Sequence, residues 1–177
     1  MNLYVVRHGE TAWNAERRLQ GKNDIPLNEK GIAQAEEARE ALESYDYDVV
    51  FSSPYLRASM TARIINETRR KPIFFDYRLR ERCFGIYEGM VAGTYDYASI
   101  WDYEQNMDLG GETIRDFFER VYDFMENLKE LRPAENVLIV CHGGTMRAID
   151  CYFHGIKNKE DMTAFFSQNA EVRTYEL

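Results

Sequence analysis

Three short apolar runs punctuate the chain, at Asn2–Val6, Asp48–Ser52 and Asn136–Cys141. Unbroken runs of this length suit strands covered on both faces. A weaker run, Ile73–Phe75, adds another strand, and Ala170–Glu176 alternates as an edge strand does. Helical spacing fills the intervals. Asn28 is placed to cap a helix reaching about Ser44, with Ile32, Ala35, Ala38 and Leu42 on one face. Ser53-Pro54 pairs a capping residue with proline at the first helical position, and Leu56, Met60 and Ile64 then recur every four residues. The clearest helix runs from Glu112 to Leu131, where Ile114, Phe117, Phe118, Val121, Met125 and Leu128 form one stripe and Pro133 follows the end. A last helix starts near Gly143 and stops at Gly155. Strands alternating with helices predict an α/β fold with a mostly parallel sheet.

At 177 residues the chain suits one domain, or one with a modest insertion, and no linker or repeat divides it. With 45% hydrophobic and 14% aromatic residues, a core can be filled, which excludes a disordered chain. The 22 Lys and Arg against 30 Asp and Glu leave a net charge of −8, which argues against nucleic acid or an anionic membrane as a partner. Cys83, Cys141 and Cys151 match neither a disulfide framework nor a zinc ribbon and suit a reducing compartment. The apolar start, Leu3–Val6, is too short for a signal peptide, and Val137–Cys141 is far short of a membrane span. A soluble, cytoplasmic protein is expected; association into a homodimer stays open.

Ligands of parallel α/β sheets bind beyond the carboxyl ends of the strands. Two predicted strand ends carry the same signature: Arg7-His8-Gly9, and Cys141-His142-Gly143-Gly144. A neutral imidazole is a nucleophile near pH 7, provided that one nitrogen holds its hydrogen towards a carbonyl and the other presents a lone pair. Attack on phosphorus gives a phosphohistidine and divides one hard displacement into two. The transferring phosphoryl group spreads negative charge over its oxygens and needs well-placed cations. Arg7 adjoins His8, Arg57 falls in the first turn of the helix after Ser53-Pro54, and His142 would complete the cradle. One carboxyl group can protonate the leaving oxygen and then activate water. Spacing leaves both Glu10 and Glu81 open for that role. His154-Gly155 reads as a helix end and is given no chemistry.

These residues lie in a longer pattern. Arg7-His8-Gly9-Glu10-Thr11 with Trp13-Asn14 resembles the signature of the histidine phosphatase superfamily, the phosphoglycerate mutase-like proteins. Gln20-Gly21, Pro26-Leu27 and Gly31 resemble its next segment, and Ser52-Ser53-Pro54 through Arg57-Ala58 and Thr61-Ala62 its second phosphate-binding segment. Leu79-Arg80-Glu81 through Glu88-Gly89, Gly110-Gly111-Glu112 and Cys141–Gly144 follow in the same order, so the resemblance covers most of the chain. It implies a three-layer α/β sandwich, an enzyme, and no cofactor or metal. Residue by residue, it implies His8 as the phosphorylated nucleophile and Glu81 as acid and base. Arg7, Arg57 and His142, assisted by Asn14 and the Gly143 backbone, would bind the phosphoryl oxygens, and Gln20 and Gly21 would line the entrance. The substrate would be a small phosphomonoester.

Rival chemistries leave their own marks. Cys141-x5-Arg147 fits the spacing of cysteine-dependent tyrosine phosphatases, although Val140 and Ala148 depart from that pattern. A metallophosphatase using His8 and His142 as ligands lacks a carboxylate at ligand spacing. A decayed binding module would have lost some expected positions, and here all are filled. Mutase-type phosphoryl transfer would need extra cations in a cap over the site. The expected cap, residues 90–110, has no Lys or Arg, four acids (Asp96, Asp102, Glu104, Asp108) and four aromatics (Tyr95, Tyr97, Trp101, Tyr103). Arg82, beside Glu81, points the other way, as a cation able to hold a substrate carboxylate. Hydrolysis is the favoured expectation. The acidic cap predicts a substrate whose leaving group is neutral, cationic or aromatic, α-ribazole phosphate or a nucleotide-like ester for example, unless the aromatics simply face the core.

Overall fold

All three strong apolar runs become neighbouring strands of one five-stranded sheet. The computed structural model describes residues 1–106, 108, 110–156 and 158–177. In chain order the elements are β1 (Asn2–Arg7), α1 (Ala12–Ala15), α2 (Glu29–Ala41), β2 (Val49–Ser52), α3 (Leu56–Ile65), β3 (Ile73–Phe75), α4 (Tyr97–Ile100), α5 (Ile114–Leu131), β4 (Asn136–Cys141), α6 (Gly143–His154), α7 (Lys159–Ala164) and β5 (Val172–Glu176). The sheet order is β3-β2-β4-β1-β5. All neighbours are parallel except β5, which pairs antiparallel with β1 and forms the edge expected of Ala170–Glu176.

Alternation along the central strands divides the core in two. Leu3 and Val5 of β1, with Val137, Ile139 and Cys141 of β4, face α5 and α6. Val6, Leu138 and Val140 face the opposite way, with Ala38 of α2 and Ala58, Ala62 and Ile65 of α3. The result is a three-layer sandwich. In α5 the predicted stripe is fully buried, and Thr113 caps the helix by accepting from the Asp116 N–H at 3.2 Å.

The predicted face of α3 differs from the observed one, and that of α2 holds at Ala35, Ala38 and Leu42 but not at Ile32. Ile32 is 37% exposed and Leu56 47% exposed, while Gly31, Ala35, Ala38, Ala58 and Ala62 are buried. Small side chains let α2 and α3 approach each other and the sheet, and Ile32 and Leu56 are turned outward while Leu42 and Ile65 stay buried. Helix α3 also begins at Leu56 rather than Pro54, because Tyr55 is extended (φ −62°, ψ 141°). The Ser53 hydroxyl does not cap it; it pairs with His142 instead.

The strand order sets where a ligand can lie. From β1 the chain leaves towards α2 on one face, and from neighbouring β4 it leaves towards α6 on the other. The two chains diverge above a crevice at the strand ends, the usual site in open α/β sheets. Gly9 and Gly31 close one side of it. A Cβ on Gly9 would meet the Gly31 carbonyl oxygen at 2.3 Å, and one on Gly31 would meet the Glu10 oxygen at 2.0 Å. In the expected cap, Ile100 and Trp101 are buried in the α5–α6 core; its residues 107 and 109 lie outside the described residues. No helix among the described residues is long and apolar enough to cross a membrane.

Candidate active site

Strands β2, β4 and β1 stop level with one another, Ser52 beside Val140 and Arg7 beside Cys141. The residues that follow, Ser53, His142 and His8, are thereby brought together. The rings of His8 and His142 lie 5.2 Å apart, edge to face. His8 Nδ1 is 2.7 Å from the Gly9 carbonyl oxygen, which only accepts, so Nδ1 carries the hydrogen and Nε2 keeps the lone pair. Burial, and then the charges of Arg57 and Arg7, hold the His8 pKa well below the usual imidazole range. A neutral imidazole is the form that nucleophilic attack requires. The backbone around it is fixed from afar: Asn169 Nδ2 donates to the His8 carbonyl at 3.0 Å, and the Ala170 N–H to that of Arg7 at 3.1 Å.

His8 opens onto a cavity of about 430 Å³. Among the described residues, five arginines, Arg7, Arg17, Arg18, Arg57 and Arg147, line it beside one acid, Glu81. Arg57 is fully buried and tethered three ways. Its Nη1 donates to the Asn23 carbonyl at 2.7 Å, Nη2 to that of Gly21 at 2.8 Å, and Nε to His142 Nδ1 at 3.2 Å. Each Nη retains a second hydrogen. Arg7 donates through Nη1 to the Ser167 carbonyl, while its buried Nε has no partner.

His142 stands differently from its expected place. It is brought to His8, yet it does not line the cavity, and both ring nitrogens are engaged: Nδ1 accepts from Arg57 and Nε2 donates to Ser53 Oγ at 2.7 Å. In this arrangement it buttresses Arg57 rather than presenting a donor of its own. Burial and the charge of Arg57 keep it neutral too, its pKa held well below the usual range.

Of the two acids left open by spacing, the structure brings Glu81 to the cavity. Its Oε2 accepts from the Gly144 N–H at 3.1 Å and Oε1 from the Arg82 N–H at 2.9 Å. Glu10 turns away to Lys30 at 2.8 Å and Asn28 at 3.0 Å, and the Lys30 hydrogen bond lowers its pKa. Gly144 has no room for a side chain: a Cβ there would lie 2.2 Å from Glu81 Oε1 and 2.8 Å from Trp101 Cη2. Arg120 holds the loop carrying Glu81 by donating to the carbonyls of Arg78, Arg80 and Glu81, while Glu112 pairs with its guanidinium. In the sequence Arg120 reads as one more charge on the polar face of a helix; nothing local marks it.

Asn14, Gln20, Gly21 and Gly143 all line the cavity as expected. Asn14 also completes a capping box with Thr11, and buried Gln20 leaves its Oε1 without a partner. Two expectations, the role of Arg82 and the acidic cap lining, are corrected, and the rival built on Cys141 is set aside. Arg82 does not line the cavity. It is fully buried against Phe84 and Trp101 and donates to the carbonyls of Glu112 and Ile100, so it anchors the cap instead of reaching a substrate. Cys141 faces the α5–α6 core outside the cavity, and burial drives its thiol pKa far up, which removes the thiolate a cysteine mechanism needs. The acidic cap lining is absent as well. Asp96, Asp102 and Asp108 accept from N–H groups of their own turns, Glu104 is exposed, and none reaches the cavity. Tyr97 and Trp101 do reach it, whereas Tyr95 packs on Tyr87 and Tyr103 on Phe118.

Arg147, noticed in the sequence only for its spacing from Cys141, sits in the cavity wall. Its guanidinium carbon lies 3.8 Å from the ring centre of Trp101, and Nη2 donates to the Tyr97 hydroxyl at 2.8 Å and the Phe165 carbonyl at 3.0 Å. The residue is 3% exposed, and its Nε and Nη1 have no partner. A buried donor left unpaired costs about 1–3 kcal/mol, and more on a charged group.

A crevice at the strand ends, holding a neutral histidine, converging arginines and one carboxylate, defines an anion-handling enzyme of the phosphoryl-transfer kind. The family model described as "Histidine phosphatase superfamily (branch 1)" matches residues 3–177, and the chain belongs to that family. With membership goes the enzyme class that the resemblance implied, a phosphoric monoester hydrolase. The chain is 37% identical over 145 residues to the uncharacterized phosphatase PhoE of Bacillus subtilis, covering 82% of this chain and 73% of that one. It is 34% identical over 159 residues to the 2,3-bisphosphoglycerate-dependent phosphoglycerate mutase 2 of Gloeobacter violaceus (83% and 73%). The solved α-ribazole phosphatase from Shigella flexneri superposes with a TM-score of 0.86 at 28% identity, over 100% of this chain and 91% of that one.

Proposed function

We propose that this protein hydrolyses small phosphomonoesters without a metal, through a phosphohistidine formed on His8. The observation that carries the reading is the His8–Gly9 hydrogen bond, which leaves Nε2 as the free lone pair beside Arg7, Arg57 and Glu81. In the first half, Nε2 attacks phosphorus and the ester P–O bond breaks. Protonated Glu81 gives its proton to the leaving oxygen, releasing the alcohol. In the second half, the Glu81 carboxylate takes a proton from water, the water oxygen bonds to phosphorus, and the P–N bond breaks. Inorganic phosphate leaves, with His8 neutral and Glu81 protonated again. Arg7 and Arg57 hold the phosphoryl oxygens throughout, Asn14 and the Gly143 backbone assist, and His142 keeps Arg57 in position. Gln20 and Gly21 border the entrance.

The test is hydrolysis of p-nitrophenyl phosphate in EDTA, with alkaline quench and mass analysis of the protein before and after acid treatment. The expected result is EDTA-insensitive release of phosphate, an acid-labile, base-stable phosphoryl group on His8, and loss of about 10³-fold or more of kcat in His8→Ala. Activity abolished by EDTA, or an adduct on Cys141, would refute the mechanism.

A further inference from the structure

The cavity holds more positive charge than one phosphoryl group uses. We propose that Arg147 is a specificity-determining residue that reads a second anionic group on the leaving alcohol, a few bonds beyond the ester oxygen; this rests on the reading of the cavity as a phosphomonoester site. Arg147 is buried, its Nε and Nη1 lack partners, and among the described residues no carboxylate lies within 4.0 Å of it. Arg147 and Arg7 line the same cavity, and the charge of each acts on the other.

Direction comes from helix α6. The Gly144 N–H holds Glu81, and both Glu81 and Trp101 abut the Gly144 Cα. Arg147 is three residues further, on the same helix face, at a spacing of roughly 5–6 Å. A leaving oxygen protonated by Glu81 is therefore followed outward by Trp101 and then by Arg147. Trp101 offers no open platform for a neutral aromatic leaving group. The guanidinium covers one face, and Phe84, Tyr97 and Phe117 crowd the ring with centroids 5.6, 6.4 and 6.3 Å away. Of the cap's acids, Asp96, Asp102 and Asp108 accept from N–H groups of their own turns, Glu104 is exposed, and none lines the cavity to oppose an anion.

The experiment is titration calorimetry in the His8→Ala background, where bound ester is not consumed, with 3-phosphoglycerate and phenyl phosphate as probes. Arg147→Met is expected to raise the Kd for 3-phosphoglycerate about tenfold or more relative to the Kd for phenyl phosphate, since charged hydrogen bonds are lost for one ligand only. Arg147→Lys, which keeps the charge and loses the fork, is expected to give a smaller shift in the same ratio, and it carries the test if Arg147→Met does not fold. A ratio unmoved in these variants, or equal weakening of both ligands, overturns the role of Arg147 alone. Binding of neither ester to His8→Ala overturns the phosphomonoester reading and this one with it.

Discussion

Two neutral histidines buried side by side make stability depend on pH in a calculable way. In the unfolded chain each imidazole takes up a proton below about pH 6.5. In the folded chain burial and the neighbouring arginines hold both pKa values well below that. The unfolded state thus binds more protons as the medium turns acid, so stability is complete above about pH 6.5 and is lost as pH falls below it. The unfolded titration alone sets an upper limit on the loss: a histidine that stays neutral in the folded chain costs at most RT ln(1 + 10^1.5), about 2 kcal/mol, at pH 5. The perturbation is His8→Gln, which removes one of the two titrations. Urea unfolding at pH 7.5 and 5.0, in buffer free of phosphate and sulfate, reads the difference; those anions would stabilise the folded state by occupying the cavity. Wild type is expected to lose more than the variant between the two pH values, by up to about 2 kcal/mol. A difference that stays flat, or a wild type that gains on the variant in acid, would show a charged imidazole in the folded protein and refute the neutral nucleophile.

Two further outcomes follow from the same geometry. Gly144→Ala forces the Glu81 carboxylate and Trp101 aside, so kcat for p-nitrophenyl phosphate is expected to fall roughly 10²-fold while the protein stays folded by circular dichroism; unaltered kcat would mean that the position of Glu81 is not critical. Cys141→Ser is expected to keep kcat within a few-fold while losing about 1–3 kcal/mol of stability in urea, because it buries a hydroxyl in the core; a dead but stable variant would revive the thiol mechanism.

The sequence displays some of this molecule openly and hides the rest for physical reasons. The strands were legible because β1, β2 and β4 are buried on both faces and carry unbroken apolar runs. The chemistry at their ends was legible because His8 and His142 each follow such a run directly. The face of α3 was misread because periodicity weighs large side chains, while close packing there selects Ala58 and Ala62; on α2 the expected Ala35, Ala38 and Leu42 are buried and Ile32 alone was misplaced. The cap misled in the same manner: charge counted along a segment says nothing of where each carboxylate points, and Asp96 and Asp102 serve their own backbone. Arg147 stood out only within the rival cysteine pattern, and Arg120 was invisible as a site residue. Their environments are built from Tyr97, Trp101 and Phe165 in one case and from the carbonyls of 78, 80 and 81 in the other, all distant in sequence.

Strand β1 finds both of its sheet neighbours, β4 and β5, in segments translated long after it. The nucleophile's own backbone waits for residues 169 and 170 to secure it. During synthesis on the ribosome, then, no nascent fragment assembles the reactive crevice early. Pairings between such distant stretches also slow folding, so the newly made chain stays chemically silent until β5 and the residues before it have left the exit tunnel.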